Sequence, residues 1–213
     1  MAELSAELEI PRLGEFIRWF LFQQSNPQDP HDLINVPLHE RPMYDDKVKV
    51  FNAASTTFYA PSDISGIGGM RRKMIRSNPS WRHGPPRLDC VFITTNPDVQ
   101  GMQGMDVVHI LAFFSFKTQE GEYYPCAVVR WFVLSDELDE DTGMWIVRPG
   151  YNACHQPDIS VLHVDTIYHA AHLIPIYSNQ EIPSEIRPHH SYDVFHSYYV
   201  NKYADHHTFE ITY

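Results

Sequence analysis

The chain has 213 residues, 43% of them hydrophobic and 13% aromatic, and this composition excludes wholesale disorder. Its formal net charge of −11 is the opposite of the basic balance that marks a dedicated nucleic-acid-binding protein. Apolar runs stay below the length of about 20 residues that a membrane-spanning helix needs, so we expect no transmembrane segment and no membrane partner.

The first part of the chain has the periodicity of an amphipathic helix. Apolar residues recur at helical spacing over residues 8–25, with Pro11 near the start and Asn26-Pro27 at the end. We expect residues 1–47 to form a helical arm followed by a proline-rich connector. Arg18 interrupts the most apolar N-terminal stretch and no small-residue cleavage site follows it, which predicts no signal peptide.

The cysteine pattern favours a reducing compartment. Cys90, Cys126 and Cys154 are an odd number and have no Cys-x-x-Cys spacing. Such a pattern fits buried or incidental thiols better than a disulfide framework or a zinc ribbon. We therefore expect a protein that is not secreted.

Five segments rich in β-branched and aromatic residues follow one another between Leu88 and Tyr177, and each is bounded by Gly, Pro, Asn or Asp. Five short strands at this spacing predict a mainly β, α+β fold, a small antiparallel β-barrel or bent sheet over residues 88–178. The alternation within the strands predicts a core formed by Val91, Ile93, Ile110, Ala112, Phe114, Ala127, Val129, Trp131, Trp145, Val147, Val161, Ile174 and Ile176.

Turn signals and aromatic spacing predict the remaining elements. Residues 119–122 should make a tight connection between two long strands. Residues 47–51 and 56–59 could pair as a short hairpin. Aromatic residues at helical intervals near the end of the chain predict a C-terminal helix within residues 179–213.

A basic segment stands out in this acidic chain. Six of the 16 Lys and Arg residues lie within residues 71–87, where there is no acidic residue. We expect residues 48–87 to be loop-rich and to pack on the barrel, with a helical turn over residues 70–76. The candidate contacts to nucleic acid or a partner are Arg71, Arg72, Lys73, Arg76, Trp81, Arg82 and Arg87, and the backbone at Gly66, Gly68 and Gly69 could approach a phosphate. The alternative is a solvated loop whose arginines pair with the protein's own carboxylates.

Two further groups could bind metal. His163, Asp165, His169 and His172 have spacings that could ligate zinc if they shared a helical face, but the surrounding sequence alternates like a strand, which favours a structural role. An acidic run could hold a hard cation, although it lacks the EF-hand spacing and is typical of a charged hairpin tip; it consists of Asp136, Glu137, Asp139, Glu140 and Asp141. The sequence has neither a Gly-x-Ser-x-Gly nor a His-Glu-x-x-His motif, and we assign no catalytic residue.

The order of several sequence blocks resembles the C-terminal region of Plavaka-type transposases, which are encoded by CACTA-related DNA transposons of mushroom-forming fungi. The resemblance runs from about residue 37 to residue 211. The blocks are FNAASTTFYAPSDISGIGGMRRKMIRSNPSWR, GPPRLDCVFITTNPDVQGMQGMDVVHILAFFSF, YPCAVVRWF, DEDTGMWIVRP, HVDTIYHAAHLIPIY and YVNKYADHH.

This resemblance implies a detached tail of a transposase. The family's catalytic core, an RNase H-like fold with a metal-binding Asp, Asp, Glu set, would lie outside this chain, so no catalytic residue is carried over to it. The resemblance also implies a nuclear or nucleocytoplasmic location and contact with DNA, chromatin or another protein, including a second copy. By analogy of fold alone, the strands are similar to BAH and SH3-like barrels. We therefore expect a non-catalytic binding module without a cofactor, and the alternative is a zinc-binding module or metal-dependent enzyme remnant.

Overall fold

Strands dominate the computed structural model, which describes residues 1–26, 37, 42, 44, 47–60, 62, 66–177, 182 and 184–213, and Glu137 by its backbone alone. The strands are β1 (Lys49–Phe51), β2 (Ala53–Tyr59), β3 (Met70–Asn78), β4 (Arg87–Leu88), β5 (Cys90–Thr94), β6 (Met105–Lys117), β7 (Tyr123–Leu138), β8 (Trp145–Pro149), β9 (Ile159–His163), β10 (Ile167–Ala171), β11 (Leu173–Pro175) and β12 (Tyr198–Val200). The α-helices are α1 (Ala2–Glu7), α2 (Leu13–Ser25), α3 (Ser191–Val194) and α4 (His206–Ile211).

Within these described ranges, nine strands form one antiparallel sheet that closes nearly into a barrel. Their order is β10-β5-β6-β7-β8-β12-β11, with β1 paired to β6 and β9 paired to β7. β2, β3 and β4 form a separate three-stranded sheet. The prediction of a mainly β fold, with an antiparallel barrel and flanking helices, is confirmed.

The long strands β6 and β7 form the centre of the barrel. Their register runs from Val108↔Trp131 to Lys117↔Tyr123. The predicted connection over residues 119–122 is confirmed, because the Gly121 N–H donates to the Thr118 carbonyl at 3.0 Å and Gly121 has a φ of 91°. Both strands are longer than the strands beside them. β6 therefore pairs along its other edge with β5 and then with β1, and β7 pairs with β9 and then with β8. The register shifts at residues 110–112 and 134–138, as expected where a sheet bends.

Burial covers both faces of the central strands. Ten of the thirteen predicted core residues are buried, and Trp131, Ile174 and Ile176 are half-buried. The alternation predicted one inward face, yet four consecutive residues of β5 are buried. One face of β6 packs under α2, where Phe114 and Phe116 share a cluster with Ile17 and Phe20. Val108 and Ile110 instead pack in a second cluster with Ile75 of β3.

The N-terminal helix prediction is correct for residues 13–25 and wrong before them. α1 ends at Glu7, and Glu9 takes a left-handed φ of 55° that reverses the chain ahead of α2. The Ser5 hydroxyl donates to the Ile10 carbonyl at 2.7 Å and closes this turn.

The hairpin predicted near residue 50 is wrong because its two halves pair with other strands. β1 pairs with the end of β6, and β2 pairs with β3, so residues 47–51 and 56–59 do not form a hairpin. The last predicted strand divides into β9, β10 and β11: a short 3-10 helix, Val164–Thr166, separates β9 from β10, and His172 lies between β10 and β11.

The single C-terminal helix predicted within residues 179–213 is also wrong. The described part of this region contains a 3-10 turn (Pro188–His190), α3, β12 and α4. Tyr198 is fully buried, because β12 inserts between β8 and β11. Its ring packs edge-on against Phe132 at 5.6 Å between centroids. Tertiary burial therefore overrides the helical spacing of the aromatic residues.

A methyl group added at Gly104 should destabilise the fold, whereas one added at Gly14 should not. An alanine Cβ at Gly104 would overlap the Val99 carbonyl oxygen and lie 2.7 Å from the Asn96 carbonyl oxygen, both of them backbone atoms. We expect G104A to lower the free energy of unfolding by about 1–3 kcal/mol. G14A meets no atom within 4 Å and lies in α2, so it should raise that free energy by up to about 1 kcal/mol. Urea denaturation of the two variants would contradict this packing if their stabilities changed equally.

Candidate functional site

The basic segment forms a two-stranded ribbon, not the predicted loop and helical turn. β2 and β3 pair antiparallel over seven positions, from Ala53↔Arg76 to Tyr59↔Met70. The side chains of residues 70–76 are mostly Met, Arg and Lys, which favour helices in isolation. Pairing with β2 satisfies the backbone groups of this run in a strand, so the prediction of a helical turn there is wrong.

Strand alternation divides the basic residues of β3 between two faces. Arg72 and Arg76 lie on the outer face with exposed methionines, whereas Arg71 and Lys73 lie on the inner face with the buried Ile75. The four cations therefore do not act as one patch. We call the outer face and the loop beside it the ribbon surface; it comprises Tyr59, Met70, Arg72, Met74, Arg76, Trp81, Arg82 and Arg87.

Trp81 gathers three arginines at one end of the ribbon surface. The guanidinium carbons of Arg76, Arg82 and Arg87 lie 4.9, 5.5 and 5.4 Å from the indole centroids. Each exposed cation–π contact contributes about 0.5–1 kcal/mol, while the three like charges repel one another. Arg87 also pairs with Asp89 at 3.1 Å. An anion bound here would relieve the remaining repulsion.

The loop that carries Trp81 is strained. Arg82 and His83 have φ values of 53° and 61°, in the left-handed region that residues other than glycine rarely adopt. The loop is closed by a hydrogen bond from the Trp81 N–H to the Pro85 carbonyl at 3.1 Å. Such strain persists where the surrounding structure holds it, and it is concentrated at functional sites. Here it places the exposed Arg82 at the tip of the loop.

Lys73 has a structural partner on the inner face. Its ammonium group contacts the Asp205 carboxylate, which also caps α4 by accepting from the Thr208 N–H at 2.8 Å. Burial alone would raise the pKa of Asp205, but the hydrogen bonds from Lys73 and Thr208 outweigh it and hold that pKa well below its ordinary value. Lys73 thus pairs with one of the protein's own carboxylates, which is the alternative predicted for the arginines of this segment.

The glycines of the predicted phosphate loop close the ribbon. Gly68 and Gly69 have φ values of 59° and 76°. The Met70 N–H donates to the Ile67 carbonyl at 3.1 Å, and the Ala60 N–H donates to the Gly69 carbonyl at 2.7 Å. Gly66 precedes this turn and is half-buried. The turn therefore sets the end of the β2–β3 pairing.

The four predicted zinc ligands do not come together at one point. His163 contacts Asp165 at 3.4 Å, His169 is buried on β10, and the His172 ring contacts the side-chain nitrogen of Asn201 at 3.1 Å. Among the described residues, no three His, Cys, Asp or Glu side chains gather in a way that could hold a metal ion. Strand geometry explains this separation, because the helical face that would have grouped them does not form.

Sequence reasoning missed a buried cluster beneath the ribbon. The His207 ring stacks on Phe58 at 4.7 Å, and the His207 Nε2 lies 3.1 Å from the Tyr168 hydroxyl. The His169 ring also packs on Phe58, at 4.4 Å, and its Nε2 lies 3.7 Å from Asp205. The capping sequence from Asp205 to Thr208 is the local signal that could have located α4. The cluster joins the ribbon to the C-terminal segment.

Other predicted groups have ordinary surroundings. In the acidic run, the Asp139 side chain accepts from the Thr142 N–H at 2.9 Å and hydroxyl at 2.7 Å, which lowers its pKa and closes the turn. Burial raises the pKa of the Cys126 thiol to about 12, as expected for an inert cysteine.

A surface pocket of about 430 Å³ lies between α2 and the β6–β7 connection, lined in part by Tyr44, Lys117 and Glu122.

No family model, curated protein or solved structure matches this chain. None of the helices in the described ranges has the length and apolar composition needed to cross a bilayer. The ribbon surface, where three arginines surround Trp81 beside a strained loop, is the strongest candidate site that the geometry offers.

Stability should fall as the pH is lowered from about 6.5 to 4. Burial lowers the pKa of both His169 and His109 to about 4. The pKa of His169 is raised in part by Asp205 and lowered further by Lys73 and His207. The pKa of His109 is raised in part by the Leu88 carbonyl, Asp193 and Asp89 and lowered further by Arg130. The unfolded chain, with a histidine pKa near 6.5, binds protons in this range that the native state does not. Each histidine should remove up to about 3 kcal/mol from the free energy of unfolding.

Urea denaturation at a series of pH values measures this effect. The Asp205 contribution has a different range, because a lowered carboxyl pKa stabilises above pH of about 4 and is lost below it. His169→Gln should make the profile shallower between pH 6.5 and 4, whatever it does to stability at pH 7. His83→Gln changes an exposed histidine and should leave the profile as it is. A free energy of unfolding that stays constant from pH 7 to 4 would contradict the burial of neutral histidines.

Proposed function

We propose that this chain is a non-catalytic binding module that contacts nucleic acid through its ribbon surface. The observation that carries the proposal is the position of Arg72 and Arg76 on the outer face of the ribbon, with Arg76 and the exposed Arg82 both against Trp81. Guanidinium groups in such an array can donate to successive phosphate oxygens. The resemblance of the sequence to the C-terminal region of Plavaka-type transposases supports the same function and a nuclear location.

Charge distribution supports a local contact rather than general attraction. Residues 71–87 carry six positive side chains, while the whole chain has a net charge of −11. The long-range field therefore opposes a polyanion, and short-range contacts at the ribbon surface must outweigh it. We expect weak binding, with a Kd of about 10–100 µM, that shows little sequence preference.

The shape of the ribbon also suits this ligand. Two-stranded antiparallel ribbons are among the elements that proteins place against nucleic acid. With a rise of about 3.4 Å per residue, Arg72 and Arg76 lie about 13 Å apart on the same face. The Trp81 loop adds Arg82 and Arg87 beside Arg76, around the same indole. The ribbon surface can therefore contact more than one phosphate at a time.

Replacing Arg72, Arg76 and Arg82 together by alanine should weaken DNA binding and its salt dependence. Each lost phosphate contact removes about 0.9 from the slope of log K against log salt concentration. We expect the slope to fall by about two to three units. Fluorescence anisotropy of a labelled duplex, titrated at several salt concentrations, measures both quantities.

The matched control replaces Lys117, Arg148 and Arg187, which are exposed elsewhere on the surface. Both triple variants lower the net charge equally, so they share any long-range effect. The control should keep most of the wild-type salt slope. Equal slopes for the two variants would mean that the ribbon arginines have a structural role. Competition by polyglutamate as effective as that by DNA would favour an acidic protein partner instead.

The separation of the predicted zinc ligands leads us to expect no cofactor. Purified protein should contain no stoichiometric zinc by mass spectrometry, and chelation by EDTA should leave the melting temperature unchanged. A variant with His163→Ala and His172→Ala should behave in the same way, because neither side chain is buried. One zinc ion per chain, lost in this variant, would instead favour the metal-dependent alternative.

A further inference from the structure

The ribbon surface is not uniformly basic. Its outer face carries three large apolar side chains, of which Tyr59 is 60% exposed, Met70 46% and Met74 44%. They alternate with Arg72 and Arg76 along β3 and across the pairing to β2. A surface that bound phosphates alone would gain nothing from this apolar area, because it stays against water or a charged backbone.

The register brings a ring and a cation side by side. Tyr59 pairs with Met70 at the closed end of the ribbon, and Arg72 is the next outward residue along β3. Successive outward side chains lie about 7 Å apart. An extended strand laid along this face would meet the Tyr59 ring first, and then the guanidinium groups of Arg72 and Arg76.

Trp81 is less suited to receive a base than the sequence predicted. Guanidinium groups of three arginines already lie within 6 Å of its indole. Its ring is half-buried, whereas the Tyr59 ring is mostly open to solvent. The stacking position on the ribbon surface is therefore Tyr59, and Trp81 serves to orient the arginines.

We propose that the ribbon surface binds unpaired nucleic-acid strands in preference to duplex, with Tyr59 as the residue on which a base stacks. This inference rests on the proposed function. In a duplex the bases stack on one another and only their edges and the backbone face outward. An unpaired strand offers its base faces to Tyr59 and the methionines and its phosphates to the arginines.

Fluorescence anisotropy with two labelled probes tests this preference. The probes are an oligothymidylate of about 20 nucleotides, which does not pair with itself, and a DNA duplex of the same length. Wild-type protein should bind the oligothymidylate at least about fivefold more tightly. Tyr59→Ala should weaken oligothymidylate binding by about fivefold to a hundredfold and change duplex binding less than about twofold.

Two further variants separate stacking from folding. Tyr59→Phe keeps the ring and should retain wild-type affinity for both probes. Tyr123→Ala removes a tyrosine that is 54% exposed at the start of β7, and it should leave both affinities unchanged.

The possible failures are distinguishable. Equal affinity for the two probes, or an equal loss for both in Tyr59→Ala, would overturn the single-strand preference and leave the proposed function standing. Binding of neither probe, or binding that the ribbon arginines do not affect, would overturn the proposed function itself.

Discussion

The pairing of β6 with β7 is the constraint on which the rest of the molecule depends. These strands are buried on both faces, so their register decides which side chains pack under α2 and which pack toward the ribbon. The ribbon is joined to this pair by Ile75, which shares a cluster with Val108 and Ile110, and by the buried Ser77 hydroxyl, which accepts from the Phe113 N–H of β6 at 3.2 Å. The Ser77 N–H in turn donates to the Asn52 carbonyl at 2.9 Å. The direction in which the arginines face is thus a consequence of the barrel.

Alternation along β3 places the structural cation Lys73 and the cations of the proposed site on opposite faces. Positions 71, 73, 75 and 77 face the barrel, where Lys73 meets Asp205 and Ile75 enters the core. The even positions face solvent and form the ribbon surface. A slip of one residue in the β2–β3 pairing would exchange the two sets and bury arginines in place of Ile75. The close packing of Ile75 therefore protects the proposed site as well as the core.

Local patterns made the barrel predictable, and tertiary contacts made the candidate site difficult to predict. The connection at residues 119–122 and most core positions follow from alternation and turn residues within short windows. The basic strand does not, because Met, Arg and Lys carry helical preference and the strand forms only through pairing with β2. The same reason applies to Tyr198, whose burial between distant strands cannot be read from the spacing of its neighbours. Sequence identified the cations of the site but not the face on which each lies.

The contact between Lys73 and Asp205 joins residues 132 positions apart. During synthesis the ribbon emerges long before this inner partner, so Lys73 lacks its carboxylate until nearly all of the described chain has left the ribosome. Closing so long a loop is entropically costly, and contacts of this kind form late and slowly. In the interval the inner face near Lys73 is open as well as the outer face, and each carries basic side chains beside apolar ones. The nascent chain is then most exposed to unwanted association. The docking of α4 is therefore the step that gives the ribbon a single accessible face.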